Sequence, residues 1–215
     1  MSDVVLGLAS RLRLRPLMAR YNSTAILGAF ALLNGFVSIA LMSLLAFVTG
    51  QPFIFPSLGP TAFLLFYTPH TDAASPRNTF LGHLIGAASG YIALLVFGLL
   101  GAGPAFTVGV DAARAGAAGL SLGLTAGLMV WLRVPHPPAG ATTLIVSLGI
   151  LTRPDQLLVL MLGVVLLLAQ GFVINRLAGL DYPMWAPRRS AEPRPEPASP
   201  DGPMNSPHGT SANRR

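Results

Sequence analysis

The sequence contains no cysteine and no lysine. The first absence excludes disulfides and thiolate chemistry while saying little about compartment. The second makes arginine the sole fixed cation. Charge is scarce altogether, at 10% of residues against 52% hydrophobic, with a mean hydropathy of +0.61. A soluble domain has no means of hiding so much apolar surface, so the chain reads as a membrane protein. No nucleophile paired with a base, no metal-ligand cluster and no phosphate-binding loop is visible, so neither enzymatic activity nor a metal or cofactor is expected. Asp72, Asp111, Asp155 and Asp181 fall in predicted loops and receive no chemical role. The net charge of +6 would suit a nucleic-acid partner, yet the arginines lie mainly outside the apolar runs and form no stripe with stacking aromatics. Nucleic-acid binding is not expected.

Four uncharged or nearly uncharged windows reach the roughly 20 residues that a hydrocarbon core requires: Thr24 to Thr49, Phe80 to Ala102, Ala115 to Leu132 and Gln156 to Asn175. Arg11, Arg13, Arg15 and Arg20 precede the first window, and Arg176, Arg188, Arg189 and Arg194 follow the last. The positive-inside rule then puts both termini in the cytoplasm. The first apolar run exceeds a signal-peptide core of about 7 to 15 residues and is read as a retained helix. Residues 1–20 form a basic N-terminal segment, residues 21–180 the membrane domain, and residues 185–215 a Pro-, Ser- and Arg-rich tail with too little apolar content to fold.

Between the long windows lie two short apolar segments broken by proline and glycine, Pro52 to Tyr67 and Pro137 to Leu151. Pro56, Gly59 and Thr61 of the first fall on Pro137, Gly140 and Thr142 of the second at a constant offset of 81 residues (56 + 81 = 137). The offset also brings the long windows into register. The fold class expected is therefore all-α, a polytopic helical membrane protein built from two three-element repeats (24–102 and 105–178), with four long transmembrane helices and two short Pro/Gly-broken helices. Interrupted segments at matching positions of two halves point to a buried substrate site, because irregular backbone survives at membrane depth only where protein or water satisfies it. If the short segments cross, the halves are inverted; if they are re-entrant, the halves are parallel. The arginine distribution favours six crossings, whereas 15 or 16 helical residues reach only about 24 Å of a core of about 30 Å, which favours four. Both topologies stay open.

The densest local signal is Val134-Pro135-His136-Pro137-Pro138-Ala139-Gly140-Ala141-Thr142. Pro137 and Pro138 suit a helix start and hold His136 just outside it. The small residues behind them leave backbone amides accessible, and amides at a helix start favour an anion. The first segment repeats the logic, with Gly59 for close approach and hydroxyls on Ser57 and Thr61. His83, near the start of a span, is an ionisable group at membrane depth. Arg77 is an interfacial anchor or an anion ligand with the fork geometry for planar oxyanions. Two glycine ladders, Gly82/Gly86/Gly90 and Gly119/Gly123/Gly127, each mark one helix face, for tight packing within a subunit or between copies in a homo-oligomer or as the lining of a narrow path for a small solute.

His136-Pro137-Pro138-Ala139-Gly140-Ala141 resembles the signature of the HPP family of integral membrane proteins. Pro56-Ser57-Leu58-Gly59-Pro60-Thr61-Ala62, Pro76-Arg77-Asn78 and Gly82-His83 resemble further family motifs in the same order, over roughly Tyr21 to Gly179. The resemblance implies four transmembrane helices and, from plant chloroplast relatives, nitrite transport. Some relatives carry CBS regulatory domains, which this sequence does not show. Gly59-Pro60-Thr61 departs from the small serine or alanine residues of the family pattern. The function expected is a transporter or channel for a small inorganic anion, nitrite foremost, in the bilayer of a bacterial inner membrane. Its substrate-binding residues would be His136, Pro137, Pro138, Gly140, Thr142, Ser57, Gly59, Thr61, Arg77 and His83. The alternative is a non-transporting membrane scaffold or sensor.

Overall fold

A computed structural model describes residues 13–187, which are helical with no strand among them. Eight α-helices follow in order: α1 (Leu14–Arg20), α2 (Ser23–Thr49), α3 (Leu58–Tyr67), α4 (Pro76–Val96), α5 (Ala105–Val108), α6 (Ala112–Trp131), α7 (Ala139–Ser147) and α8 (Pro154–Leu177). A 3₁₀ turn, Asp72–Ala74, precedes α4. The protein is thus a multi-pass membrane protein in which α2, α4, α6 and α8 are long and apolar enough to cross a bilayer. Residues 188–215, where the sequence predicts a disordered tail, and residues 1–12 lie outside the described residues. Trp185, counted with that tail, is held in the fold: its carbonyl accepts from the Arg77 N–H at 3.0 Å.

Local chemistry sets the boundaries. Asn22, Ser75 and Asp111 accept from backbone amides three residues on, capping α2, α4 and α6, and Pro76 and Pro154 occupy first-turn positions that need no donor. The second apolar window continues to Ala102, yet α4 stops at Val96. Gly98 takes a left-handed φ of 66° there, and the Leu99 amide turns back to the Leu94 carbonyl. Likewise Gly109, at φ 88°, separates α5 from α6, so the third long helix starts only after the Asp111 cap.

α4 is the most buried of the long helices, α2 the most peripheral. Its glycine face takes α7. A Cβ on Gly82 would meet the His136 Cβ at 2.6 Å, one on Gly86 the Ala139 carbonyl at 2.6 Å, and one on Gly90 the Thr143 carbonyl at 2.8 Å. The contacts advance together, so α7 and the residues before it run alongside α4 in the same direction. On the other side, α3 runs in the direction of α8: Phe55 lies by Gly163, and Leu65 by Gly171 with its carbonyl accepting from Asn175 Nδ2 at 2.9 Å. Helices α2 and α3 pack on each other, as do α6 and α7; α4 packs on α6, α7 and α8, and α8 also on α2 and α3. This set of pairs is unchanged when α2, α3 and α4 are exchanged with α6, α7 and α8.

The apolar core (Met42, Leu58, Leu65, Phe66, Leu94, Val146, Leu160, Leu167 and others) fills the seam around α3, α4 and α8. The second glycine ladder does not share in it. Gly119 and Gly123 have nothing within 4 Å of an added Cβ, and Gly127 faces only Trp131 of its own helix. Packing within the subunit, one of the readings of that ladder, is therefore corrected: the residues around it put Arg114, Ala117, Ser121 and Thr125 inward instead.

Candidate functional site

The two short helices present the same residue at the same place. Thr61 is the fourth residue of α3 and Thr142 the fourth of α7, 81 positions apart. Between them stands His83 of α4. Its Nε2 lies 2.9 Å from Thr61 Oγ1 and its Nδ1 lies 2.7 Å from Thr142 Oγ1. His136, held ahead of α7 by the two prolines, closes the group: its Nε2 is 3.1 Å from His83 Nε2 and 3.2 Å from Thr61 Oγ1, and its Nδ1 donates to the Ala73 carbonyl at 2.7 Å. The rings meet edge to face with centroids 4.7 Å apart. All four side chains have no exposed surface. Only the missing Cβ of Gly82 lets His136 approach α4 this closely.

Buried polar atoms in an apolar medium cost about 1–3 kcal/mol each unless hydrogen-bonded. The histidine pair meets that requirement through threonines and one main-chain carbonyl; no carboxylate among the described residues bonds to either ring. Thr61 also donates to the Ser57 carbonyl at 2.9 Å. Ser57 itself, the residue before α3, is fully buried with its hydroxyl unpartnered. Further unpartnered, buried hydroxyls follow on the same helices at Ser89 of α4 and Ser147 of α7. With Thr143 (bonded to Thr125 and to the Gly86 carbonyl), Ser121 and Thr125, they form a polar seam between α4, α6 and α7. The seam ends at Arg114, 2% exposed, whose guanidinium donates to the carbonyls of Ser147 and Gly103. At the other end, a cleft of about 570 Å³ lined by Asp72, Ala126, Met129, Val130, Arg133, Pro135, Pro137 and His136 reaches the histidine pair. Arg133 there holds a left-handed φ of 53°, the one non-glycine residue with positive φ among those described, and strain of this kind collects at functional sites.

Of the ten residues singled out from the sequence, His136, Thr142, Thr61 and His83 come together directly, with Ser57 contributing its carbonyl and an idle hydroxyl. Pro138 sits at the start of α7 and Pro137 lines the cleft. Three depart from expectation. Gly59 faces outward with nothing within 4 Å of an added Cβ, so it permits no close approach. Gly140 meets only Leu122 at an ordinary 3.5 Å. Arg77 lies at the end of the bundle, on the turn of α4 before His83, and is held by its main chain to Trp185. The expected main-chain donors are also taken: the amides of Ala139, Gly140 and Ala141 bond to the carbonyls of His136, Pro137 and Pro138. Side chains, not free amides, supply the polar lining. Arg114 and Arg133 enter the sequence reading only within the arginine distribution that bears on the number of crossings; an arginine three residues inside a helix start is a signal that the burial of Arg114 makes plain.

The family model described as HPP, transmembrane region, matches residues 21–183. Two transmembrane proteins of Dictyostelium discoideum are similar to the chain. One is 32% identical over 117 residues, covering 53% of this chain and 34% of its own length. The other is 27% identical over 134 residues, covering 60% of this chain and 44% of its own length. The chain therefore spans less than half the length of these relatives. No solved structure gives a significant match.

Proposed function

Since the chain belongs to the HPP transmembrane family, we propose that it carries a small inorganic anion across the membrane, nitrite being the candidate that the family resemblance favours. The observation that carries this reading is the buried His83–His136 pair, bracketed by Thr61 and Thr142 where the two short helices begin. Nothing in that cluster is negative, its O–H and N–H groups become donors to a ligand when their present partners are exchanged, and Arg114 at one end of the seam adds positive charge, while Arg133 at the other stands beside Asp72. A monovalent oxyanion of three or four atoms fits such donors better than a cation does. The idle hydroxyls of Ser57, Ser89 and Ser147 support a path, since buried groups left unpaired in the resting protein are free to bond to something passing.

The helix directions support six passages, four as continuous helix and two as extended chain followed by α3 or α7, with the two halves inverted. The pairing of helices, unchanged on exchanging the halves, supports the same repeat. In this reading α1, Arg77, Arg133 and the α8 C-terminus share one end, with Arg114 and Arg153 at the other. Six of the eight arginines among the described residues then gather at the terminal end. That distribution supports cytoplasmic termini. Both imidazoles are sealed from solvent, as an intermediate of alternating access requires.

The test is uptake of nitrite and nitrate into proteoliposomes, comparing wild type with the Thr61→Val/Thr142→Val double variant. Uptake above protein-free vesicles that the double variant loses, with its elution profile and helicity unchanged, is expected. No uptake of any small anion sinks the reading.

A further inference from the structure

Counting hydrogens in the buried cluster fixes its state. The Ala73 carbonyl only accepts, so His136 Nδ1 carries a proton and donates it. A neutral His136 then has a bare Nε2, and this atom lies 3.1 Å from His83 Nε2. Two bare nitrogens that close would repel, so His83 carries its proton on Nε2, pointing at His136 Nε2 and Thr61 Oγ1. Its Nδ1 is then bare and takes the hydroxyl proton of Thr142 at 2.7 Å. The whole chain runs one way: Thr142 O–H to His83, His83 N–H to His136, His136 N–H to Ala73.

We infer that His83 and His136 together bind one further proton, and that this proton is carried with the anion. The outward nitrogen that lacks a hydrogen is His83 Nδ1, so the added proton arrives there by way of the Thr142 hydroxyl. His83 Nδ1–H now donates to Thr142 Oγ1, and the remaining inner proton is shared between the two Nε2 atoms. A second added proton would place two hydrogens between nitrogens 3.1 Å apart, so the pair stops at one. The balance is simple: one proton enters, no other bond breaks, and the cluster gains one positive charge. Thr142 changes from donor to acceptor toward His83, which releases its own O–H to a ligand at the start of α7. Proton and anion therefore favour each other's binding through a single hydroxyl. The charged groups on the surrounding elements are Asp72 on the 3₁₀ turn, Arg77 at the start of α4, Arg114 on α6 with Arg133 after it, and Asp155 and Arg176 at the two ends of α8; α3 and α7 contribute none.

The coupling role rests on the proposed anion transport; the proton site does not, and two readouts separate them. In proteoliposomes with potassium and valinomycin, nitrite uptake corrected for protein-free vesicles is followed with an internal pH dye. One proton is expected to enter per nitrite, with the rate following the proton gradient and unchanged when the potential is stepped from inside-negative to inside-positive. Uptake that rises with an inside-positive potential and brings no proton would leave anion transport standing and overturn the shared proton. In parallel, ¹⁵N NMR of histidine-labelled protein, assigned with His83→Gln and His136→Gln, is expected to show a neutral Nε2–H ring at His83 and a neutral Nδ1–H ring at His136. Acidification should then add a single proton to the two. The opposite tautomers, or two protons taken up independently, would overturn the site whether or not any anion is moved.

Discussion

At the scale of the residue, Thr61 Oγ1 is engaged by three partners, the Ser57 carbonyl and the Nε2 atoms of both histidines, whereas Thr142 Oγ1 meets His83 Nδ1. Thr142 is the member whose hydroxyl has a choice, so Thr142→Val should lower uptake about tenfold or more, in keeping with loss of one charge-assisted hydrogen bond of about 1.5–3 kcal/mol. Thr142→Ser keeps the hydroxyl and should restore most of the rate, which a purely structural role for the methyl group would not allow. His136, Thr61 and Thr142 were legible in the sequence because proline, glycine and threonine repeat there at one offset. His83 was visible as an ionisable group in a span and as part of the Gly82-His83 motif. Its pairing with His136 was not, since the two residues, 53 positions apart, meet across a helix contact that no local pattern encodes. Gly59 misled for the same reason: it matches Gly140 in register, and neither sits against a neighbouring backbone.

At the scale of the element, two similar glycine ladders have opposite surroundings. Gly86→Ala sets a methyl against the Ala139 carbonyl at 2.6 Å and should destabilise the protein by about 1–3 kcal/mol. Gly123→Ala enters open space and should stay within about 0.5 kcal/mol or gain slightly from helix propensity. Unfolding midpoints in detergent would separate them; equal effects would mean that α7 does not ride on the first ladder. Helix existence was legible because the apolar windows are long enough to span, but the windows open one to four residues after the true starts, where the caps Asn22, Ser75 and Asp111 and the prolines Pro76 and Pro154 lie. The end of α4 was not legible, because apolar residues continue past Val96 and only the turn at Gly98 stops the helix. Beyond α8, Tyr182 is fully buried and donates its phenol O–H to the Ala74 carbonyl, and burial pushes that phenol above its ordinary value. A raised folded-state value means stability is complete below the unfolded phenol's value of about 10 and declines as pH climbs beyond it. Tyr182→Phe should remove that alkaline component from a pH series of melting curves.

At the scale of the whole molecule, the sequence left four crossings against six undecided because the short segments are too short to cross as helix alone. In the six-passage reading proposed above, non-helical chain precedes each short helix and gains length at more than twice the rise of a helix. Single cysteines at Asp72 and Asp111, in a chain that has none of its own, should therefore label from opposite sides of sealed vesicles. In the inverted six-passage arrangement Asp72 is the cytoplasmic position and Asp111 the one across the membrane; the reverse assignment, which four crossings with re-entrant segments predict, would refute it. Removal of residues 188–215 should leave anion uptake unchanged, whereas a scaffold acting through its tail would lose its function; pull-down and flux on the same truncated protein distinguish the two.

The bond between His136 and Ala73 joins two things usually kept separate in a carrier. Ala73 belongs to the turn beside the cleft, and His136 is one of the two rings that share the charge. Swinging that turn away to open the cleft would strip His136 of the carbonyl that fixes its hydrogen, so the door and the lock on the cargo would be released by one movement. In the carrier proposed above, opening the cleft and loosening the proton would thus be one event.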